Sequence, residues 1–212
     1  MLYSVILAGG RGERFWPLSR LGHPKQLLKI TSDKTLLQET IDRVKELIPV
    51  SRTLIITGEN FSKAILEKVP DLTEKNLILE PERKDTAAAI GLAAIKIHKR
   101  NPEEIMVTIN SDHYIRDEKE FVRIIKLGGK VARKYPDHTV LIGINPTFPA
   151  TGYGYIKMEN VFTKIEKDQI FCAEKFVEKP TLLKARRYLK NWQYLWNPAY
   201  FIWRVDKLLN LY

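Results

Sequence analysis

The stretch Leu7-Ala8-Gly9-Gly10-Arg11-Gly12-Glu13-Arg14-Phe15-Trp16-Pro17-Leu18-Ser19, with Pro24-Lys25 shortly after it, continues directly from the first apolar run of the chain, Ser4 to Ala8. That run is short and almost wholly apolar, as a strand covered on both faces should be. A Gly-rich turn at the carboxyl end of such a strand lies where an open α/β sheet binds its ligands. Three of the four residues from Gly9 to Gly12 are glycine, so backbone N–H groups can approach an anion without side chains in the way. Two familiar phosphate loops do not fit. The dinucleotide fingerprint needs glycine where Phe15 stands, and the Walker pattern needs Gly-Lys followed by Ser or Thr. What remains is a Gly-rich loop carrying two cations, Arg14 and Lys25, that can neutralise a polyphosphate. The plainer alternative is an ordinary βα turn with exposed charges.

Working outward, short apolar runs alternate with helical stretches. Thr53 to Thr57, Asn76 to Leu79, Ile105 to Ile109 and Thr139 to Gly143 read as further strands. Thr35-Leu36-Leu37-Gln38 is a capping box that opens a helix to about Ile48, before Pro49. Asp85 or Thr86 caps an Ala-rich helix to about Lys99 with Ile90, Ala94 and Ile97 as its apolar stripe, and Asp117 to Lys134 is another helix, with Phe121, Ile124, Ile125 and Val131 inward. Strands alternating with helices predict an α/β, Rossmann-like three-layer α/β/α sandwich on a mixed, mainly parallel central sheet. The Pro-rich loop Asn145 to Gly152 reads as a seam between a first half, 1–144, and a second half, 145–212, of one domain. Beyond it come strands at Tyr153 to Met158 and Gln169 to Val177, a helix from Thr181 to Leu189 and a strand at Tyr200 to Trp203.

Composition narrows the classes. The 212 residues are 44% hydrophobic and 28% charged, which excludes disordered and collagen-like chains. The single cysteine, Cys172, excludes a disulfide framework and Cys-based zinc, and is expected to be a small core residue in a reducing, cytoplasmic compartment. The apolar start is too short for a signal peptide or a membrane span, so no membrane partner is expected. The net charge of +10 makes an anionic partner worth weighing. Basic residues alternate with acidic ones, however, as in Lys63 to Lys68, which reads as a solvated helix face. The tightest basic group, Lys184, Arg186, Arg187 and Lys190, reads as surface, and a small phosphorylated substrate suits the charge better than nucleic acid.

A second chemistry-bearing element is Asn110-Ser111-Asp112-His113, at the end of the Ile105 strand and so at the same sheet edge as the Gly-rich loop. A carboxylate facing phosphates there suits Mg²⁺, which takes one or two carboxylates plus phosphate oxygens and water. Alternatively Asp112 caps a turn. The four histidines show no ligand spacing, so no transition metal is expected.

Taken in order, the Gly-rich run with Pro24-Lys25, then Glu80-Pro81, Asp85-Thr86-Ala87-Ala88-Ala89-Ile90, Ser111-Asp112-His113, Gly152-Tyr153-Gly154-Tyr155-Ile156, Phe176-Val177-Glu178-Lys179-Pro180 and Trp196-Asn197 resemble the sugar-1-phosphate nucleotidyltransferases, and among them most closely the guanylyltransferases of mannose 1-phosphate. The resemblance implies the nucleotide-diphospho-sugar transferase fold, GTP and mannose 1-phosphate as substrates, GDP-mannose as product and Mg²⁺ as cofactor. It further implies that Leu7, Ala8, Gly9, Gly10, Gly12, Glu80, Asp85 and Thr86 bind the nucleotide, and that Arg14, Lys25 and Asp112 are catalytic, with Asp112 on the metal. Gly154, Glu178, Lys179 and Asn197 then hold the sugar phosphate. Glu80 falls at the family's base-reading position, and a carboxylate, which only accepts hydrogen bonds, matches the N–H donors of guanine.

The sequence also departs from the family pattern. Asp85 stands where Asn is usual, and Pro198-Ala199 replaces a small residue and glycine after Asn197. None of the four tryptophans has an aspartate two positions later, so the W-x-D-x-G carboxylate of the relatives is missing. Val205, Leu208, Leu209 and Tyr212 fall on one helix face at the chain end, which reads as a truncated second half whose transfer is slow until that carboxylate is supplied. Alternatives are a catalytically inactive nucleotide-sugar-binding relative, an enzyme for another sugar 1-phosphate, and a nucleic-acid binder. The pattern leaves a homo-oligomer open. Because Tyr188 is the only aromatic within the Arg186-Arg187 group, stacking platforms are scarce. DNA or RNA is therefore expected to bind weakly and to be lost at physiological salt, as a filter-binding salt titration would show.

Overall fold

The computed structural model describes residues 1–10, 15–20, 24–80, 82 and 85–212, with Asp85 described in its backbone only. The chain forms two compact units, one of Met1–Val140 with Phe201–Tyr212 and one of Leu141–Tyr200. The first division lies after Val140, where the sequence sets its seam at 144/145, and the end of the last strand with the helix after it groups with the first unit.

In the first unit, β1 (Leu2–Leu7), β2 (Thr53–Gly58), β3 (Leu77–Glu80) and β4 (Ile105–Asn110) are all parallel. β1 lies between β2 and β4, and β3 flanks β2. The end of β8 (Tyr194–Arg204) runs antiparallel to β4, with Ile105 opposite Arg204 and Val107 opposite Ile202. The result is a mixed, mainly parallel sheet, as the alternation of strands and helices predicts.

Strand alternation assigns the two faces. Tyr3 and Val5 of β1, Leu54 and Ile56 of β2 and Met106 of β4 are buried against Ala89, Ile90, Ala93, Ala94 and Ile97 of α3 (Asp85–His98). Val205 and Leu208 of α6 (Val205–Leu209) complete that cluster. On the opposite face lies α4 (Glu118–Lys134), where a Cβ on Gly129 would be 3.5 Å from a methyl of Leu2. α1 (Leu36–Val44) packs beside α4, with the buried Arg43 donating to Glu118 at 3.1 Å and lying over the Phe121 ring. Helices thus cover both faces of the sheet.

The expected capping box is present: Thr35 accepts from Gln38 N, and the Gln38 side chain accepts from Thr35 N. α1 ends at Val44 rather than near Ile48, because Leu47 and Ile48 both donate to the Val44 carbonyl in a closing turn. α2 (Ser62–Lys68) is mostly exposed but buries Ile65, and the mixed charges from Lys63 to Lys68 occupy its solvated side.

In the second unit, β6 (Gly154–Ile165) and β7 (Asp168–Val177) form an antiparallel hairpin, and the start of β8 pairs with β6 from Gly154 opposite Asn197 to Lys157 opposite Tyr194. Most of β5 (Val140–Ile144) also belongs here, with Gly143 against Leu195. α5 (Leu182–Leu189) buries Ala185 and leaves Lys184, Arg186 and Arg187 exposed, as expected of a solvated basic group. Both β6 and β8 outrun the sequence reading. The strand expected to end at Met158 continues to Ile165 with register shifts, and the turn is Glu166-Lys167, where Glu166 takes φ 55°. Cys172 lies on β7 and is only half-buried, which corrects its expected place in the core.

Among the described residues no helix is long and apolar enough to cross a membrane. Thr35→Ala removes one half of the capping box and is expected to lower stability by about 1 kcal/mol in urea unfolding, without changing the urea dependence of the transition.

Candidate functional site

Parallel pairing carries the ends of β1, β3 and β4 to one edge of the first unit's sheet. Leu7 lies opposite both Ile56 and Asn110, and Gly58 lies opposite Glu80. A cavity of about 450 Å³ opens there, lined by Leu7, Gly9, Gly10, Lys25, Ile56, Glu80, Thr86, Ala89, Asn110 and Asp112. Seven of the residues singled out from the sequence, Leu7, Gly9, Gly10, Lys25, Glu80, Thr86 and Asp112, therefore line one cavity. Ala8 is buried directly behind it. Gly12 and Arg14 lie outside the described residues, as does the side chain of Asp85, although α3 begins at that residue.

Two contacts set the chemistry of this cavity. A Cβ on Gly9 would stand 2.7 Å from Oε2 of Glu80, so a side chain at this position would push the carboxylate from its place beside the loop. In the same cavity, Lys25 Nζ bonds Asp112 Oδ2 at 2.5 Å, with side-chain exposures of only 15% and 12%. The ammonium also passes close over Gly10, where a Cβ would be 3.4 Å from Nζ. Glu80 and the Lys25–Asp112 pair thus both border the start of the Gly-rich loop.

Behind the wall, buried side chains hold the backbone. Ser111 donates to the Leu7 carbonyl at 2.9 Å, and Gln26, itself fully buried, donates from Nε2 to the Ala8 carbonyl at 2.7 Å. Thr57 reaches the same carbonyl at 3.4 Å. With these carbonyls engaged, the first residues of the loop are fixed in place at the strand end. Gln26 is the positioning residue that the sequence reading missed. Its signal was a lone amide between Lys25 and the apolar pair Leu27-Leu28, which looks like an ordinary surface residue until the burial is known.

The donor set at Asp112 suits a hard divalent cation. A carboxylate and the Asn110 amide share the cavity, and the Lys25 ammonium already stands in as the positive charge at the carboxylate. Among the described residues no group of three His, Cys, Asp or Glu side chains gathers at one point.

In the second unit, the β6–β8 register sets Gly154 opposite Asn197. A Cβ on Gly154 would lie 3.0 Å from Oε2 of Glu178 and 3.6 Å from Cβ of Asn197, so three of the four residues expected at a sugar phosphate converge on that glycine. Lys179, the fourth, pairs with Glu178 at 3.3 Å, largely exposed and at φ 38°. Asn197 accepts from Ala199 N at 3.0 Å, and Ala199 sits at φ 60°. The backbone at Ala199 therefore lies in the left-handed region that favours glycine, and alanine bears the steric cost.

A family model described as nucleotidyl transferase matches residues 3–211. The chain is 38% identical to the mannose-1-phosphate guanylyltransferase of Salmonella montevideo, over 99% of this chain and 44% of that protein. It is 37% identical to the protein of the same name from Klebsiella pneumoniae, with the same coverage. The chain therefore spans less than half the length of these curated relatives. Among solved structures it resembles a mannose-1-phosphate geranyltransferase from Thermus thermophilus, with a TM-score of 0.87, 32% identity and coverage of 99% of this chain and 59% of that one.

Ala199→Gly relieves the positive-φ strain while leaving the bond to Asn197 possible. It is expected to stabilise the chain by about 1 kcal/mol, less any gain in unfolded-state entropy, measured as a rise in the thermal midpoint.

Proposed function

Since the chain belongs to the nucleotidyl transferase family, we propose that it serves guanylyl transfer from GTP to mannose 1-phosphate, yielding GDP-mannose and pyrophosphate. The observation that carries this reading is the gathering, in one cavity, of the Glu80 carboxylate beside a Gly-rich loop and the Lys25–Asp112 pair. A phosphate oxygen of mannose 1-phosphate attacks the α-phosphorus in line. A new P–O bond forms as the bond to the β-phosphate oxygen breaks, and pyrophosphate carries away the negative charge. No enzyme nucleophile is needed.

Each side chain then has a task. Glu80 accepts hydrogen bonds from the guanine ring N–H and exocyclic amine, and repels bases that present acceptors at those positions. Leu7, Ala8, Gly9, Gly10 and Thr86 form the nucleotide's bed, and Gly12 and Asp85 belong with them by sequence. Lys25, with Arg14 assigned from the sequence, neutralises the phosphates where charge builds up. Asp112 and phosphate oxygens would hold Mg²⁺, which supplies charge neutralisation to the phosphate chain when bound. Glu178 and Asn197 beside Gly154 would take sugar hydroxyls, and Lys179 the sugar's phosphate. Most of the acceleration on this account is positioning and electrostatics.

The test is equilibrium binding. The chain is expected to bind GTP and GDP-mannose in preference to ATP and UDP-glucose, and equal affinity for all four would overturn the guanine assignment. Glu80→Ala, which removes the acceptor of two guanine donors, should weaken GTP by about 1 to 3 kcal/mol in calorimetry while leaving ATP unchanged. Asp112→Asn keeps the side chain's shape and should abolish the Mg²⁺ dependence of nucleotide binding, whereas an unaltered dependence would return Asp112 to a turn-capping role.

A further inference from the structure

The side chain assigned to the phosphates and the side chain assigned to the metal are bonded to each other. Lys25 Nζ lies 2.5 Å from Asp112 Oδ2, and both side chains are largely shielded from water. Lys25 is also confined on its other side by the loop, since even a methyl on Gly10 would press on its Cε at 3.2 Å. The ammonium therefore occupies a defined place between the Gly-rich loop and the end of β4. A divalent ion at the same carboxylate oxygen would sit a few ångströms from that ammonium, and like charges that close in a partly dry site repel strongly.

We propose that Lys25 is a built-in competitor for the divalent cation at Asp112, so that metal gains the carboxylate only when nucleotide phosphates draw the lysine away. The inference rests on the assignment of Asp112 as a metal ligand and extends it to the order of events. A triphosphate offers the ammonium several anionic oxygens in exchange for one carboxylate. Once Lys25 turns to them, Asp112 is released at the moment when phosphate oxygens arrive to complete the metal's ligand set. Metal and nucleotide then bind with positive coupling, and by linkage each strengthens the other by the same factor. Free metal, meeting the lysine-held carboxylate, binds poorly.

The proposal predicts opposite signs for two measurements on one substitution. Binding of Mn²⁺ alone is followed by the loss of the free-ion electron paramagnetic resonance signal, without nucleotide. Lys25→Met and Lys25→Gln should each bind Mn²⁺ roughly tenfold more tightly than the parent, because a neighbouring positive charge is gone. The same two variants should bind Mg²⁺–GTP more weakly in calorimetry, because the phosphate contact is lost. Misfolding cannot mimic this result, since an unfolded variant would lose Mn²⁺ binding rather than gain it, and melting curves identify such a variant. If both variants melt as the parent does and bind Mn²⁺ no more tightly, the competition is refuted. Asp112→Asn separates the two layers. If it leaves Mn²⁺ binding in the presence of GTP intact, the metal assignment itself fails. If it removes that binding while the lysine variants gain nothing, only the competition fails.

Discussion

β1 is hydrogen-bonded in parallel on both sides, with Leu7 opposite Ile56 of β2 and Asn110 of β4, and the cavity depends on that double pairing. Parallel neighbours end at the same edge, so the turns that follow β1, β3 and β4 must open side by side. A strand reversed anywhere in this set would send Glu80 or Asp112 to the far end of the sheet. The burial of Tyr3, Val5, Leu54 and Ile56 against α3, and of α4 on the opposite face, is what makes slippage costly. A shift of one residue would turn these apolar side chains to the wrong layer.

Fixing the strand ends does not by itself fix the loop that leaves β1. That is done by polar groups reaching from neighbouring segments, Ser111 to the Leu7 carbonyl and Gln26 to the Ala8 carbonyl. Among the described residues Gln26 Oε1 is buried without a hydrogen-bond partner. Left without a partner, such an acceptor costs about 1 to 3 kcal/mol. The Nε2 bond of the same amide holds the Ala8 carbonyl at the edge where phosphates are proposed to bind, with Gly9 beside Glu80 and Gly10 beside Lys25.

The second unit shows a different balance. Its hairpin is about half exposed, and local contacts hold the elements around it, Tyr155 OH donating to the Ala150 carbonyl and Tyr188 of α5 stacking on Tyr194 of β8. At Ala199 the chain accepts a left-handed backbone without the residue best suited to it, and the Asn197 side chain bonds across the turn. The departure from glycine that stands out in the sequence thus places alanine at a strained position. Gly154, Glu178 and Asn197 still converge.

By itself the sequence determined the alternation of strands and helices in the first unit, because its strands are short apolar runs and its helices carry caps and stripes, as at Thr35 and at Ile90, Ala94 and Ile97. It also determined the candidate cavity residues, since ordered motifs name Gly9, Lys25, Glu80 and Asp112 without reference to any contact. It could not extend β6 past Glu159-Asn160 or begin β8 at Tyr194, because exposed strands lack an apolar signature and Pro198 looks like a break. Tertiary structure alone decided that Gln26 is buried behind the loop, that the last twelve residues rejoin the first unit, and that Lys25 and Asp112 bond each other. Those outcomes depend on distances between segments far apart in the chain, 87 residues in the case of Lys25 and Asp112, and local patterns of residues carry no record of such distances.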